Sequence, residues 1–445
     1  MTLLDLLPPA ARDRRLDALP VVVIGAGPIG LAAAANLSER GIPFVVYEAG
    51  RSVADSMRRW GHVRMFSPWR HLVDPPSARL LEADGWVRPP DTRPPTGAEL
   101  IESYLAPLAA LPEIADGLHT GVEVLKVSRV GADRTRTANR AGTPFLLRLR
   151  DDVGSVTDAT ARAVIDASGT YRQPNSLGSS GLDPLGLAEV ADLVSPALPD
   201  VLGRDRARFA GRSVVVVGAG HSAANTLLDL VRLAERAPAT TVTWIIRNER
   251  AARIGSSADD ELAERASIGR RVDEFVAAGS IHLVDRFEIV RLDRAGGRVA
   301  VTGSRAGELQ KVTADVVVNA TGFRPDLAML REVRLDLDEV VEAPRRLAPL
   351  IDPNLHSCGT VPPHGFAELR HFEPDFYLAG MKSYGRAPTF LLATGYEQVR
   401  SIVAHLAGDD GAASRVALTL PATGVCSTSS STASSCCQTT AGVGC

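Results

Sequence analysis

A strand, glycine turn, helix and strand pattern occurs twice, about 190 residues apart, and a late strand–glycine–helix follows near the C-terminus. These three observations predict an α/β fold. The expected architecture is two Rossmann-like, three-layer (ββα or αβα) units, the second inserted into the first and followed by a disordered C-terminal tail.

The first copy starts with the apolar run Val21 to Ile24, short enough for a buried strand. Gly25-Ala26-Gly27-Pro28-Ile29-Gly30 then gives a G-x-G-x-x-G turn, and an alanine-rich helix and a second strand lead to Glu48. Gly25 serves the tight turn, Gly27 lets a diphosphate approach bare backbone, and Gly30 lets helix and strand pack closely. The helix N-terminus directs N–H groups and positive dipole at the diphosphate. Glu48, 18 residues past Gly30, is placed to accept hydrogen bonds from a ribose diol.

Residues 51–95 lack long periodicity but are dense in aromatic, basic and proline residues. Trp60 and Trp69 are two of the four tryptophans, and with His62 they are candidates for lining a planar ring. Thr96 and Glu99 form a capping box that predicts a helix through Ala109. Short strands are expected at Val122 to Val127, Phe145 to Leu149 and Ala163 to Ile165, with a hairpin tip near Thr135 to Asn139. Arg172 to Arg212, rich in proline and glycine, reads as an interdomain crossing.

The second copy has a strand at Val214 to Val217, the turn Gly218-Ala219-Gly220-His221-Ser222-Ala223, and a helix from Ala224 to Ala237. Its next strand, Val242 to Ile246, ends in Arg247 where the first copy has Glu48, with Arg250 close behind. An arginine there suits a 2′-phosphate, so the spacing predicts NADPH over NADH. A helix over 259–278 and strands over 281–318 follow. They lead to Asn319-Ala320-Thr321-Gly322-Phe323-Arg324-Pro325, a turn like Ala167-Ser168-Gly169-Thr170-Tyr171. The strand Phe376 to Gly380 then precedes a helix from about Pro388 to Leu406, with Gly380 placed to admit a ligand.

A net charge of −3 gives no basic excess, so a small-molecule partner is expected rather than nucleic acid or membrane. The apolar stretch Val21 to Leu37 is too short and too interrupted to span a bilayer. The charged N-terminus lacks the order of a secretion signal, which points to the cytoplasm. Cys358 is the only cysteine before residue 426, so no disulfide framework is expected. From Pro421 the chain turns to Ser, Thr, Ala and Gly and carries Cys426, Cys436, Cys437 and Cys445. These four thiols are candidate ligands for a soft centre such as As(III) or Hg(II), or carriers of electrons by exchange.

The two units, the A-T-G-F-x-P turn and the late strand–glycine–helix together resemble the two-dinucleotide-binding-domain flavoproteins over about residues 20–408. Gly169 to Pro174 and the helix start at Pro95 to Leu100 look closest to flavin-containing monooxygenase-like proteins, although the F-x-G-x-x-x-H signature is absent and Met381 follows Gly380. The resemblance implies FAD at Gly25, Gly27, Gly30, Glu48 and Gly380, and a nicotinamide nucleotide at Gly218, Gly220, Ser222 and Arg247. It divides the chain into an extension (1–19), a FAD domain in two parts (20–175 and 315–412), an inserted NAD(P)H domain (176–314) and a tail (413–445). The implied reaction is monooxygenation: NADPH reduces FAD, O₂ forms a peroxyflavin, and a small substrate is oxygenated. Two other readings stay open, a reductase acting on a disulfide, quinone or thiophilic metalloid, and a flavin-binding sensor or scaffold. With no C-x-x-C or C-x-x-x-x-C in residues 1–425, a dithiol in the folded body is not expected. Loose similarities of the tail to mercuric reductases, and of the body to arsenic-resistance flavoproteins, imply a detoxification role.

Overall fold

The computed structural model describes residues 16–249, 251, 263–355, 361–387 and 390–418. In chain order its strands are β1 (Val21–Ile24), β2 (Phe44–Glu48), β3 (Leu118–Thr120), β4 (Glu123–Arg129), β5 (Phe145–Arg150), β6 (Val156–Ala161), β7 (Ala163–Asp166), β8 (Val194–Ser195), β9 (Ser213–Val217), β10 (Thr241–Ile245), β11 (His282–Val284), β12 (Phe287–Ala295), β13 (Arg298–Arg305), β14 (Glu308–Ala314), β15 (Val316–Asn319) and β16 (Phe376–Leu378).

Two parallel sheets form, ordered β16-β7-β1-β2-β3 and β11-β10-β9-β15-β8, and each is accompanied by a three-stranded antiparallel sheet, β4-β5-β6 or β12-β13-β14. Because β16 returns to β7 after the whole second sheet is complete, the second unit is inserted into the first. Sheet pairing carries that second unit through Asn319, past the 314 boundary expected from the sequence, since β15 pairs with β9 and β8.

The apolar runs are continuous because both faces of each parallel sheet are covered. Along β1, Val21 and Val23 join the helix-side core, while Val22 and Ile24 face the cluster that includes Val127, Phe145 and Leu147 of the antiparallel sheet. The helix Pro28–Glu39 buries Ala32, Ala33, Ala34 and Ala35, whose small side chains allow close approach to the sheet. Glu373, buried, takes Arg129 at 2.9 Å and Arg140 at 2.8 Å and so pins the antiparallel sheet to the chain entering β16.

The capping box is present, with Thr96 Oγ1 accepting from Glu99 N–H at 3.1 Å and Glu99 accepting from Thr96 N–H at 2.8 Å. The helix it opens reaches Ala110 but widens to a π turn over Ile101–Leu105. Pro107 explains this: it has no N–H for the Ser103 carbonyl, which instead accepts from Trp86 Nε1 at 2.7 Å. The aperiodic reading of 51–95 missed the helix Pro75–Ala83, capped by Asp74 with proline at its start. Asp-Pro-Pro was the available signal. Beyond it, the helix His221–Arg236 begins three residues earlier than expected, and Leu392–Leu406 is the described extent of the last long helix.

Candidate functional site

The first glycine turn has a steric reason at each position. Gly25 sits at φ +96°, and a Cβ there would lie 2.9 Å from Ser168 Cα. At Gly30 a Cβ would fall 1.8 Å from the Gly25 carbonyl oxygen. At Gly27, by contrast, a Cβ would meet nothing within 4 Å, so the turn opens onto free space there. The helix first turn holds Pro28 and no acidic residue. Among the described residues the Ile29 and Gly30 N–H groups make no hydrogen bond, as the geometry of a helix start leaves its first donors free for an anion.

Glu48 closes β2 in a buried position, accepting from Ala26 N–H at 2.8 Å and from Gly50 N–H at 2.7 Å. It therefore shapes the turn, and each carboxylate oxygen keeps a second lone pair for a hydroxyl.

Three strand ends converge beside this turn. Gly380, at φ +68°, packs so closely on Ile29 that a Cβ would lie 3.0 Å from Ile29 Cγ1, and one at Gly395 would lie 2.4 Å from Ile29 Cδ1. Under the crossover at Ala167 to Gly169, Lys382 Nζ donates to Asp166 at 2.7 Å and to Ser168 Oγ at 3.0 Å. The Lys382 and Asp166 side chains are 1% and 0% exposed. Sequence reasoning missed this pair. The signals were an acid ending an apolar strand and a lysine two residues past Gly380. Gln398 accepts from Gly380 N–H at 2.8 Å, and its amide contacts Ser383 Oγ and His364 Nε2, each at 2.9 Å. Burial holds His364 below its ordinary imidazole range. The open space over Gly27, the unpartnered N–H groups and the close seat of Gly380 fit a bound dinucleotide diphosphate.

The second turn repeats the design. Gly218 sits at φ +135° with a Cβ position 2.1 Å from the Ala320 carbonyl oxygen, while Gly220 again faces open space. Trp244 Nε1 donates to the Gly218 carbonyl at 2.7 Å and fixes the turn from the next strand. Ser222 lies half-buried in the first turn of the helix. Arg247 is exposed at the end of β10 and donates to the Ser179 carbonyl at 3.1 Å. Arg250 lies outside the described residues.

The three residues read as ring-lining have different surroundings. Trp60 covers Gly97, where a Cβ would lie 3.0 Å from Trp60 Cζ3. His62 lies within electrostatic reach of Asp229 on the helix His221–Arg236. Trp69 is buried in the first core, and its Nε1 has no hydrogen-bond partner among the described residues. Near His62, Phe66 meets the His221 ring at 4.9 Å, so this segment docks on the second unit.

The two crossings between units are tied to each other. Asn175 N–H donates to Gly322 O at 2.9 Å and Arg324 N–H to Gln173 O at 3.0 Å, while Asn319 Nδ2 donates to Asn175 O at 3.0 Å. Cys358, Cys426, Cys436, Cys437 and Cys445 lie outside the described residues. Among the described residues there is no metal-competent group of His, Asp, Glu or Cys, and no helix is long and apolar enough to cross a membrane.

Residues 154–353 match the pyridine nucleotide-disulphide oxidoreductase family, and residues 23–76 match the NAD(P)-binding Rossmann-like domain. A ferredoxin–NADP reductase of Granulibacter bethesdensis is 27% identical over 345 residues, 76% of this chain and 80% of the relative. An indole-3-pyruvate monooxygenase of Oryza sativa is 30% identical over 224 residues, 50% of this chain and 48% of the relative. Among solved structures, a bacillithiol disulfide reductase of Bacillus cereus superposes with TM-score 0.63 at 19% identity, covering 88% of this chain and 99% of that one. A cadaverine monooxygenase of Erwinia amylovora, bound to FAD, does so with TM-score 0.63 at 14% identity, covering 91% and 98%.

Proposed function

We propose that the chain is an NADPH-dependent monooxygenase of a small molecule, reading it as one of the two-dinucleotide-binding-domain flavoproteins that use FAD and NAD(P)H on its two domain matches and its similarity to a ferredoxin–NADP reductase. In this reading FAD lies at the first turn and NADPH at the second. The observation that carries the reading is the contact of Phe66 in the first unit with His221 in the second, beside two crossings that are hydrogen-bonded to each other through Asn175 and Asn319. A cleft held at one orientation keeps the coenzyme beside its partner and excludes water, as oxygen transfer requires. No cysteine pair in residues 1–425 competes for electrons.

FAD, when bound, supplies hydride acceptance and dioxygen chemistry. The chain's own residues do the rest. Ile29 and Gly30 N–H groups hold the diphosphate, Glu48 fixes the turn and offers lone pairs to a ribose, and Lys382 with Asp166 holds Ser168 and the crossover in place. Arg247 meets the 2′-phosphate after giving up its bond to Ser179.

A second reading, electron transfer from NADPH to an external acceptor, is favoured by the similarity to ferredoxin–NADP reductases over 345 residues. Stopped-flow mixing of the NADPH-reduced protein with oxygen separates the two. An absorbance that is neither oxidised nor reduced flavin, persisting before reoxidation, supports oxygenation. Direct reoxidation together with rapid reduction of a ferredoxin or quinone would transfer the assignment to the reductase.

A further inference from the structure

A cavity of about 480 Å³ lies where the two crossings pass the carboxyl ends of β8 and β15, and its walls include Arg59, Arg172, Tyr171, Phe323, Ser195 and Asn319. None of its lining belongs to either glycine turn, to Glu48 or to Arg247. The carboxyl ends of parallel strands are where open α/β sheets take ligands, and the volume is that of a small-molecule site.

Two features define its chemistry. Tyr171 and Phe323 both line the cavity and pack on each other as an aromatic wall, their ring centroids 5.0 Å apart and tilted by 33°. The Pro174 to Phe323 bridge sets this wall on the paired crossings rather than on a free loop. At the rim, Arg59 and Arg172 share a single carboxylate oxygen, Asp55 Oδ2, at 3.4 and 3.6 Å. One acid therefore faces two guanidiniums, and among the described residues the one hydrogen bond that either side chain makes is that of Arg59 to Asp55. Arg204 adds to the positive side by donating to the Arg59 carbonyl at 3.5 Å. The remaining N–H groups form a fork suited to a carboxylate, and the ring pair suits a planar body. A bare hydrated anion would leave the apolar wall unused, and a neutral ring would leave the arginines unused.

We propose that this cavity binds a small planar carboxylate, with its anion on Arg59 and Arg172 and its flat body against Tyr171 and Phe323. The site goes beyond the reaction assigned above, and its test reads binding rather than turnover. Calorimetric titration of the flavin-loaded full-length protein with benzoate, benzamide and inorganic phosphate provides the probes. Benzoate is expected to bind at least about tenfold more tightly than either of the others, the scale of one charge-assisted contact. Arg172→Gln should weaken benzoate about tenfold and leave benzamide unchanged, and Phe323→Ala should weaken both, with flavin content constant throughout. Arg172 is 48% exposed, so its variant does not threaten the fold. Saturating NADP⁺ should leave benzoate affinity within about twofold. Equal binding of benzoate and benzamide, indifference to Arg172→Gln, or competition by NADP⁺ would each overturn the proposal.

Discussion

Gly27→Ala separates folding from cofactor binding. The new methyl group meets no protein atom within 4 Å, and Gly27 has φ −77°, which alanine adopts freely. Folding stability should fall by no more than about 1 kcal/mol, the scale of a less favourable helix N-cap. The same methyl group stands where the diphosphate must approach. Loss of one charge-assisted hydrogen bond, about 1.5–3 kcal/mol, and overpacking of about 1–3 kcal/mol sum to a loss of roughly two to four orders of magnitude in FAD affinity. Gly30→Ala is the contrasting variant. Its Cβ falls 1.8 Å from a backbone oxygen, so the helix must leave the strand and the protein should not fold. The assay is flavin retained on purification, a dissociation constant from flavin fluorescence, and thermal unfolding of the flavin-free proteins. Wild-type FAD affinity in Gly27→Ala would show that the first turn does not hold the diphosphate. Folded Gly30→Ala would show that helix and strand are not as close as the steric argument requires.

Four further outcomes follow. Arg247→Ala should raise the Michaelis constant for NADPH by about tenfold or more and leave that for NADH nearly unchanged, measured by steady-state coenzyme oxidation. Lys382→Met strands a buried carboxylate at Asp166 and should cost about 3–5 kcal/mol in denaturant unfolding; a loss below 1 kcal/mol would deny the ion pair its structural role. Burial pushes the Asp74 carboxyl up from 3.8 to about 7. A raised carboxyl gives stability that is fully present below pH 3.8 and lost as pH rises to about 7, so Asp74→Asn should flatten that window, at about 1.4 kcal/mol per pH unit, in pH-dependent unfolding. Deleting residues 421–445 should spare FAD content and NADPH oxidation while weakening arsenite or Hg(II) binding in equilibrium dialysis; equal binding by both proteins would return the tail cysteines to an inert role.

The strongest local patterns were legible because chemistry at those positions admits few alternatives. Gly25 and Gly218 are required by positive φ and close backbone, Thr96 and Glu99 by reciprocal capping, and the strands β1 and β9 by uninterrupted burial. Long-range partners were not legible. Lys382 and Asp166 lie 216 residues apart, and no local period marks a salt bridge that only the β7–β16 pairing creates. Glu48 was read for its ligand, yet its carboxylate also organises the turn through Ala26 and Gly50. Trp60, His62 and Trp69 are near in sequence, but the fold directs them to Gly97, toward Asp229 and into the core. The helix Pro75–Ala83 escaped because nine residues are too few for periodicity to stand out, although its cap was present.

The central claim is that the first turn holds FAD and the second holds NADPH, facing each other across the clamped cleft. Anaerobic titration of Gly220→Val with NADPH, beside the unaltered protein, tests it most directly. Gly220 faces open space, so the added valine should block only the nucleotide. The unaltered protein should be bleached by about one equivalent of NADPH per flavin, the stoichiometry of a single hydride transfer. Gly220→Val should keep its full flavin and its reduction by dithionite but resist NADPH. Loss of flavin from this variant, or unchanged reduction by NADPH, would contradict the assignment of the two turns.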